Sequence, residues 1–170
     1  PGLGAGSRYV GGCRIVRLDH RSKAVKNLTH GFYSALDPSV SFDGEMILFA
    51  GMRSATDTWQ IFQMNADGSD IVQLTDGPGH HVSPLYVGDL FYLNDKHPTG
   101  QMVYLKKSLD HPLSPFGLVA ANRDGAKPRP VSFNLLSEME PTVLPNGRLV
   151  FSSGYRSGET VQSRLLAMNI

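Results

Sequence analysis

The feature that most constrains this chain is an order of landmarks that returns along it. Leu28-Thr29 leads to Pro38, then Leu74-Thr75 leads to Pro84, then Val131-Ser132 leads to Pro141. On either landmark the first offset is 46 residues and the second is 57, so the landmarks move together. A second set behaves the same way. Asn65 and Asp67-Gly68 in MNADGSD reappear as Asn122 and Asp124-Gly125 in ANRDGAK, and Met168-Asn169 opens a third copy. A fixed period of this size marks an array of similar units, each too small to bury its apolar surface without neighbours.

Each unit reads as short apolar segments separated by turn residues. SVSF, Asp43-Gly44 and EMILFAG form one expected hairpin, and IFQMN, Asp67-Gly68 and DIVQLT form another. Asp-Gly suits such turns because glycine accepts positive φ without steric cost. PTVL, Asn146-Gly147 and RLVFSS repeat the first hairpin. Four strands in about 45 residues is the size of one propeller blade. Counting from the N-terminus gives CRIVRLDH and KAVKNLT, then four strands, four strands and three, with Ile170 the last residue. The expected fold is therefore all-β, a partial β-propeller of about three four-stranded antiparallel blades. Residues 1–11, including the GLGAGS run, are expected to be a linker or N-terminal extension, and residues 12–170 the blades. Propellers close with roughly four to eight blades, so the chain is expected to be an arc of a longer one.

Proline placement agrees with that strand order. Pro38, Pro84 and Pro141 are expected at the head of each innermost strand, and Pro128 and Pro130 on an outermost strand. Both places tolerate a missing N–H.

Composition removes several classes of function. With 16 Lys+Arg against 15 Asp+Glu, a net charge of +1 offers no broad basic face for a phosphate backbone, so nucleic acid is not an expected partner. No apolar run approaches the ~20 residues of a spanning helix. Cys13 is the single cysteine, which excludes an internal disulfide, a CxxC metal clamp and a CxxCH haem attachment. It is read as a small, partly buried strand residue.

LDPSVSFDGEMILFAG followed by WQIFQMNADGSDIVQLTDGP resembles the repeat of TolB-type β-propellers, from about Gly12 onward. Within that group, LDPSVSFDG and EPTVLPNGR resemble segments of large bacterial, planctomycete-type proteins similar to the middle domain of the hydrazine synthase alpha subunit. The resemblance implies a multidomain parent, periplasmic or otherwise exported, whose propeller helps organise haem-bearing parts. It places haem in the parent and no cofactor in this segment, because the attachment motif is missing here. Propellers are also joined to serine peptidases. Their GxSxG elbow does not occur, since GYRSG at Gly154–Gly158 has its serine one place late.

The second unit carries eleven more residues than the first, and the excess is expected between His97 and Phe116. Insertions in repeat arrays map to loops and often to a binding face, so His97, Lys106, Lys107 and His111 are candidate contacts for a protein partner. His80 and His81 stand just before an innermost strand. They are expected on an exposed loop, with metal or haem contact as the alternative, although adjacent strand residues point opposite ways. Asp37, Glu138 and Glu140 fall near the expected axis, where acids could bind a cation or a basic peptide, or accept local backbone hydrogen bonds. Trp59, Phe62, Tyr86, Phe91, Tyr92, Phe116 and Phe151 are expected in the core.

The functional expectation is a non-catalytic scaffold that associates with other domains or protein subunits. The alternatives are the middle domain of a multihaem oxidoreductase subunit and the gating propeller of a peptidase.

Overall fold

The computed structural model describes residues 8–90, 97–110, 114–133, 136–157 and 160–169. Phe91, Tyr92, His111 and the GLGAGS run lie outside them. The described residues form thirteen strands and no helix. A leading pair, β1 (Val16–Leu18) and β2 (Val25–Asn27), precedes three larger sheets. Blade 1 holds β3 (Ser34–Val40), β4 (Met46–Met52), β5 (Gln60–Asn65) and β6 (Val72–Gln73). Blade 2 holds β7 (His80–Leu90), β8 (Thr99–Lys107), β9 (Phe116–Asn122) and β10 (Arg129–Pro130). Blade 3 holds β11 (Glu138–Val143), β12 (Leu149–Ser157) and β13 (Thr160–Met168). Every pairing is antiparallel and joins neighbours in sequence. The order of two, four, four and three strands is the one the repeat implied.

The turns explain the Asp-Gly and Asn-Gly landmarks. In the β5–β6 turn the Gly68 N–H donates to the Asn65 carbonyl, and Gly68 takes a positive φ, of 89°. The Gly125 and Gly147 turns repeat this, as three-residue loops with a bulged glycine. The preceding acid or amide completes the turn: Asp67, Asp124 and Asn146 accept the N–H groups of Ser69, Ala126 and Arg148. Blade 2 lacks one such turn because Leu90 stands where Gly44 stands in blade 1. A bulky residue resists positive φ, and the strand runs on to Leu90. Nine of the eleven extra residues therefore lengthen the β7–β8 hairpin, and two fall between β8 and β9. This corrects the expectation that the excess is a loop from His97 to Phe116, a stretch that contains the whole of strand β8.

The three X-Pro steps also differ from expectation. Pro38, Pro84 and Pro141 lie inside β3, β7 and β11, not at their heads. In each strand the register slips at the proline, and the residue before it, Asp37, Ser83 or Glu140, has a φ of 54°, 50° or 52°. A bulge leaves one residue without a ladder partner, which is where a residue lacking an N–H fits.

One set of hydrogen bonds recurs in the leading pair, blade 1 and blade 2. The Ile15, Ile61 and Leu118 N–H groups donate to the hydroxyls of Thr29, Thr75 and Ser132. The Leu-Thr landmark is thus a side-chain clasp from the outermost strand onto its neighbour. Between units, the N–H groups of Cys13, Trp59 and Phe116 donate to the side chains of Ser34, His80 and Ser137. Half-buried Cys13 takes part through its backbone, its N–H donating to Ser34 and its carbonyl accepting the Ala35 N–H.

The core lies between the sheets. Along β4, Ile47 and Phe49 join a cluster with Ile15, Leu28, Phe32, Phe62 and Met64 on the leading-pair side. The alternate residues Leu48, Ala50 and Met52 enter a larger cluster with Trp59, Tyr86, Tyr104, Leu105 and, from blade 3, Leu149 and Phe151. A strand buried on both faces reads as a continuous apolar run, which accounts for MILFAGM. Phe62 and Tyr86 are core as expected, while Phe116 is partly buried at the cluster edge.

Candidate functional site

The three bulges bring the residues before each proline to one pole of the molecule. Asp37, Ser83 and Glu140 line a single depression with Pro38, Pro84, Pro141 and Arg8. Arg8 reaches into it from the N-terminal segment: its guanidinium lies 3.0 Å from an Asp37 oxygen and 3.9 Å from Glu140, and donates to Ser83 Oγ at 3.1 Å. The other Asp37 oxygen accepts both the N–H and the hydroxyl of Ser83. Burial works against the Arg8 charge, but its contact with Tyr9 and the charges of Asp37 and Glu140 hold its pKa above the usual value.

Tyr9 anchors the same segment. Its ring packs edge-on to Trp59 of blade 1 at 6.0 Å and tilts against Phe116 of blade 2 at 6.2 Å. Its hydroxyl lies 2.8 Å from Ser83 Oγ. Burial and the Asp37 charge raise its pKa, which keeps the phenol protonated. The pole is thus a basic and an aromatic side chain of this chain set among the bulges of three blades.

Of the three acids read near the axis, two gather here and one does not. Glu138 is fully buried at the junction of blades 2 and 3, where its carboxylate accepts from the Leu118 N–H at 2.8 Å and from the Ser132 hydroxyl.

His80 and His81 are the first residues of β7, both buried, and not on an exposed loop as their polarity suggested. His80 Nδ1 accepts the Trp59 N–H at 3.3 Å, in the position serine fills at the other two junctions. His81 turns the opposite way, packing edge-on to Tyr104 at 5.5 Å. Burial, then the neighbouring Lys106 charge, pulls its pKa down to about 4, and burial with Lys107 lowers that of His80. Both imidazoles are neutral at pH 7. Among the described residues, no three His, Cys, Asp or Glu side chains gather closely enough to hold an ion.

Lys106 and Lys107 pair across β7–β8 with His81 and His80, and Lys107 lies over the Phe116 ring at 5.8 Å. His97 is exposed ahead of β8. His81, Tyr104 and Lys106 line a cleft of about 200 Å³ between blades 1 and 2, closed from the blade 1 side by Leu74, Thr75 and Asp76. Sequence reasoning missed Arg8, Tyr9, Ser83, Tyr104 and Asp76. The repeat could have shown Ser83, which precedes its proline as Asp37 and Glu140 precede theirs. Arg8 and Tyr9 precede the repeat and carry no such signal.

Solved structures share this architecture. TolB from Acinetobacter baumannii matches with a TM-score of 0.64 at 15% identity, over 92% of this chain and 35% of that one. A putative TolB from Agrobacterium tumefaciens matches with a TM-score of 0.60 at 18% identity, over 85% of this chain and 49% of that one. This chain has a TolB-like β-propeller fold. The TolB-like arc also matches the structure of Kuenenia stuttgartiensis hydrazine synthase, with a TM-score of 0.76 at 24% identity, over 92% of this chain and 26% of that one. In sequence it is 43% identical to hydrazine synthase subunit alpha of Kuenenia stuttgartiensis over 75 residues, which is 44% of this chain and 9% of that protein. The chain therefore spans a small part of the relatives it matches. No family model matches it.

Proposed function

We propose that this TolB-like arc is a non-catalytic scaffold: a propeller segment of a larger, exported bacterial protein that offers rigid surface to other domains or protein subunits. The observation that supports this reading is the use made of its polar side chains. Asp37 and Ser83 are taken up by Arg8, His80 by the Trp59 N–H, and Glu138 by Leu118 and Ser132. Each of these side chains ties one stretch of the repeat to another. The partner surface is assigned to the lengthened hairpin of blade 2 and its flanks, with His97, Lys106 and Lys107 as contacts and His111, outside the described residues, as a further candidate. The test is co-purification of this chain with the remainder of the polypeptide that carries it, expressed separately. Association that is lost when Lys106 and Lys107 are both changed to Glu supports the scaffold, and failure to associate contradicts it.

A second reading is favoured by the 43% identity to hydrazine synthase subunit alpha. On it, the arc is part of the middle domain of a haem-bearing oxidoreductase subunit in the periplasm, the haem being attached outside this segment. Soret absorbance of the purified full-length polypeptide tests it, and a featureless spectrum removes it.

A further inference from the structure

We propose that the cleft between blades 1 and 2 binds a small zwitterion of the amino-acid class, with its carboxylate on Lys106 and Tyr104 and its ammonium on Asp76. The argument begins from the repeat. Ala35, His81 and Glu138 occupy the same place in successive units, at the start of the innermost strand and offset by the same 46 and 57 residues as the landmarks. At the junction of blades 2 and 3 the chain fills this place with its own carboxylate, that of Glu138, and buries it completely. At the junction of blades 1 and 2 the place holds an imidazole, and a cleft of about 200 Å³ stands open beside it. The residue paired across the strands has changed as well: Ser153 faces Glu138, but Lys106 faces His81. A carboxylate facing a serine has been exchanged for a neutral imidazole facing a cation.

The walls define what the cleft can hold. Lys106 and Tyr104 are two apart on β8 and so share a face, and both line the cleft with His81. Burial pushes the Tyr104 phenol up to about 12, so it remains a hydrogen-bond donor. Asp76 comes from the opposite lip, at the end of blade 1. The charges of Lys106 and Asp76 both act on the His81 ring, in opposite senses. Neither is in any ion pair or side-chain hydrogen bond among the described residues. Two opposite, unpaired charges thus flank one neutral imidazole. Leu74, Val119, Pro128 and Pro130 supply apolar wall. The volume is below the roughly 300–1,000 Å³ of sites for drug-sized ligands, which limits the occupant to a small molecule. A simple carboxylate would meet Asp76 and a simple ammonium would meet Lys106, so only a molecule with both groups satisfies both lips.

Calorimetric titration of the full chain with alanine, acetate and methylammonium as probes tests this. Alanine is expected to bind in the millimolar range or tighter, with acetate and methylammonium each about tenfold weaker or more. Lys106→Met and Asp76→Asn, both at exposed positions, should each weaken alanine by about tenfold. His81→Glu, which restores the carboxylate of the blade 2–blade 3 junction, should fill the site and abolish alanine binding. Equal affinity for acetate and alanine, no heat with alanine up to about 50 mM, or unchanged alanine binding by His81→Glu would each overturn the proposal.

Discussion

The Trp59 N–H donates to His80 Nδ1 at 3.3 Å, in the position where the Cys13 and Phe116 N–H groups donate to Ser34 and Ser137. A histidine therefore does the work of a serine hydroxyl at one of three equivalent junctions. A hydroxyl can accept at any ordinary pH, whereas Nδ1 accepts only while the imidazole is neutral.

Acid should loosen this junction. The folded-state pKa values of His80 and His81 lie below the ordinary 6.5, that of His81 at about 4. Above pH 6.5 both folded and unfolded chains hold these rings neutral, and the stability is fully present. As pH falls from 6.5 towards 4 the unfolded chain takes up protons first, and stability is lost through that window. The melting temperature should drop by several degrees between pH 7 and pH 5. His81→Gln should flatten that slope, and an unchanged slope in the variant would contradict the assignment.

Glycines of the same conformation should differ in their cost. Gly125 and Gly44 have φ of 85° and 78°, so alanine at either is strained by about 1–2 kcal/mol. A Cβ on Gly125 would also lie 2.1 Å from the Leu74 carbonyl oxygen of blade 1, while one on Gly44 would meet nothing within 4 Å. Gly125→Ala should lower the melting temperature clearly more than Gly44→Ala, because it pushes two blades apart. Equal losses in thermal denaturation would show that turn strain alone matters.

Much of this architecture was legible, and the reason is that it repeats. The strand count, the Leu-Thr clasp and the glycine turns each recur at the same offsets, so each observation is made more than once in the sequence. What was missed is what happens once or depends on the third dimension. Nothing local to Arg8 and Tyr9 says that they reach the bulges of three blades. His80 and His81 looked like loop residues because polarity was weighed above their place in the period. That period aligns them with Ser34 and Ala35, both buried in blade 1. The prolines misled in another way: a missing N–H fits a strand end and a bulge equally well, and only the pairing register distinguishes them.

The pole should be electrostatically coupled, but modestly. Arg8 is half exposed while Asp37 is largely buried, so a double-mutant cycle with Arg8→Ala and Asp37→Ala should give a coupling of about 1 kcal/mol. The same cycle with Glu140, which is 3.9 Å away and well exposed, should give close to zero. Urea unfolding of the single and double variants measures both.

Blade 3 should make the isolated chain associate. Among the described residues β13 pairs only with β12, and Leu165 on it is 75% exposed. An unpaired edge with apolar side chains recruits further strands. Light scattering should report dimers or larger species whose share falls when Leu165 is changed to Lys. A monodisperse monomer would count against an open arc.

The central claim is that β3, β7 and β11 stand side by side around one axis, with Arg8 at its pole and further blades continuing the ring. An experimental structure of the longer polypeptide carrying this chain tests it most directly. The account expects a fourth strand paired antiparallel to β13, two strands completing the sheet of β1 and β2, and the Arg8 guanidinium within hydrogen-bonding distance of Asp37. A β13 edge left open to solvent in that polypeptide, or Asp37, Ser83 and Glu140 facing different sides of the molecule, would contradict it.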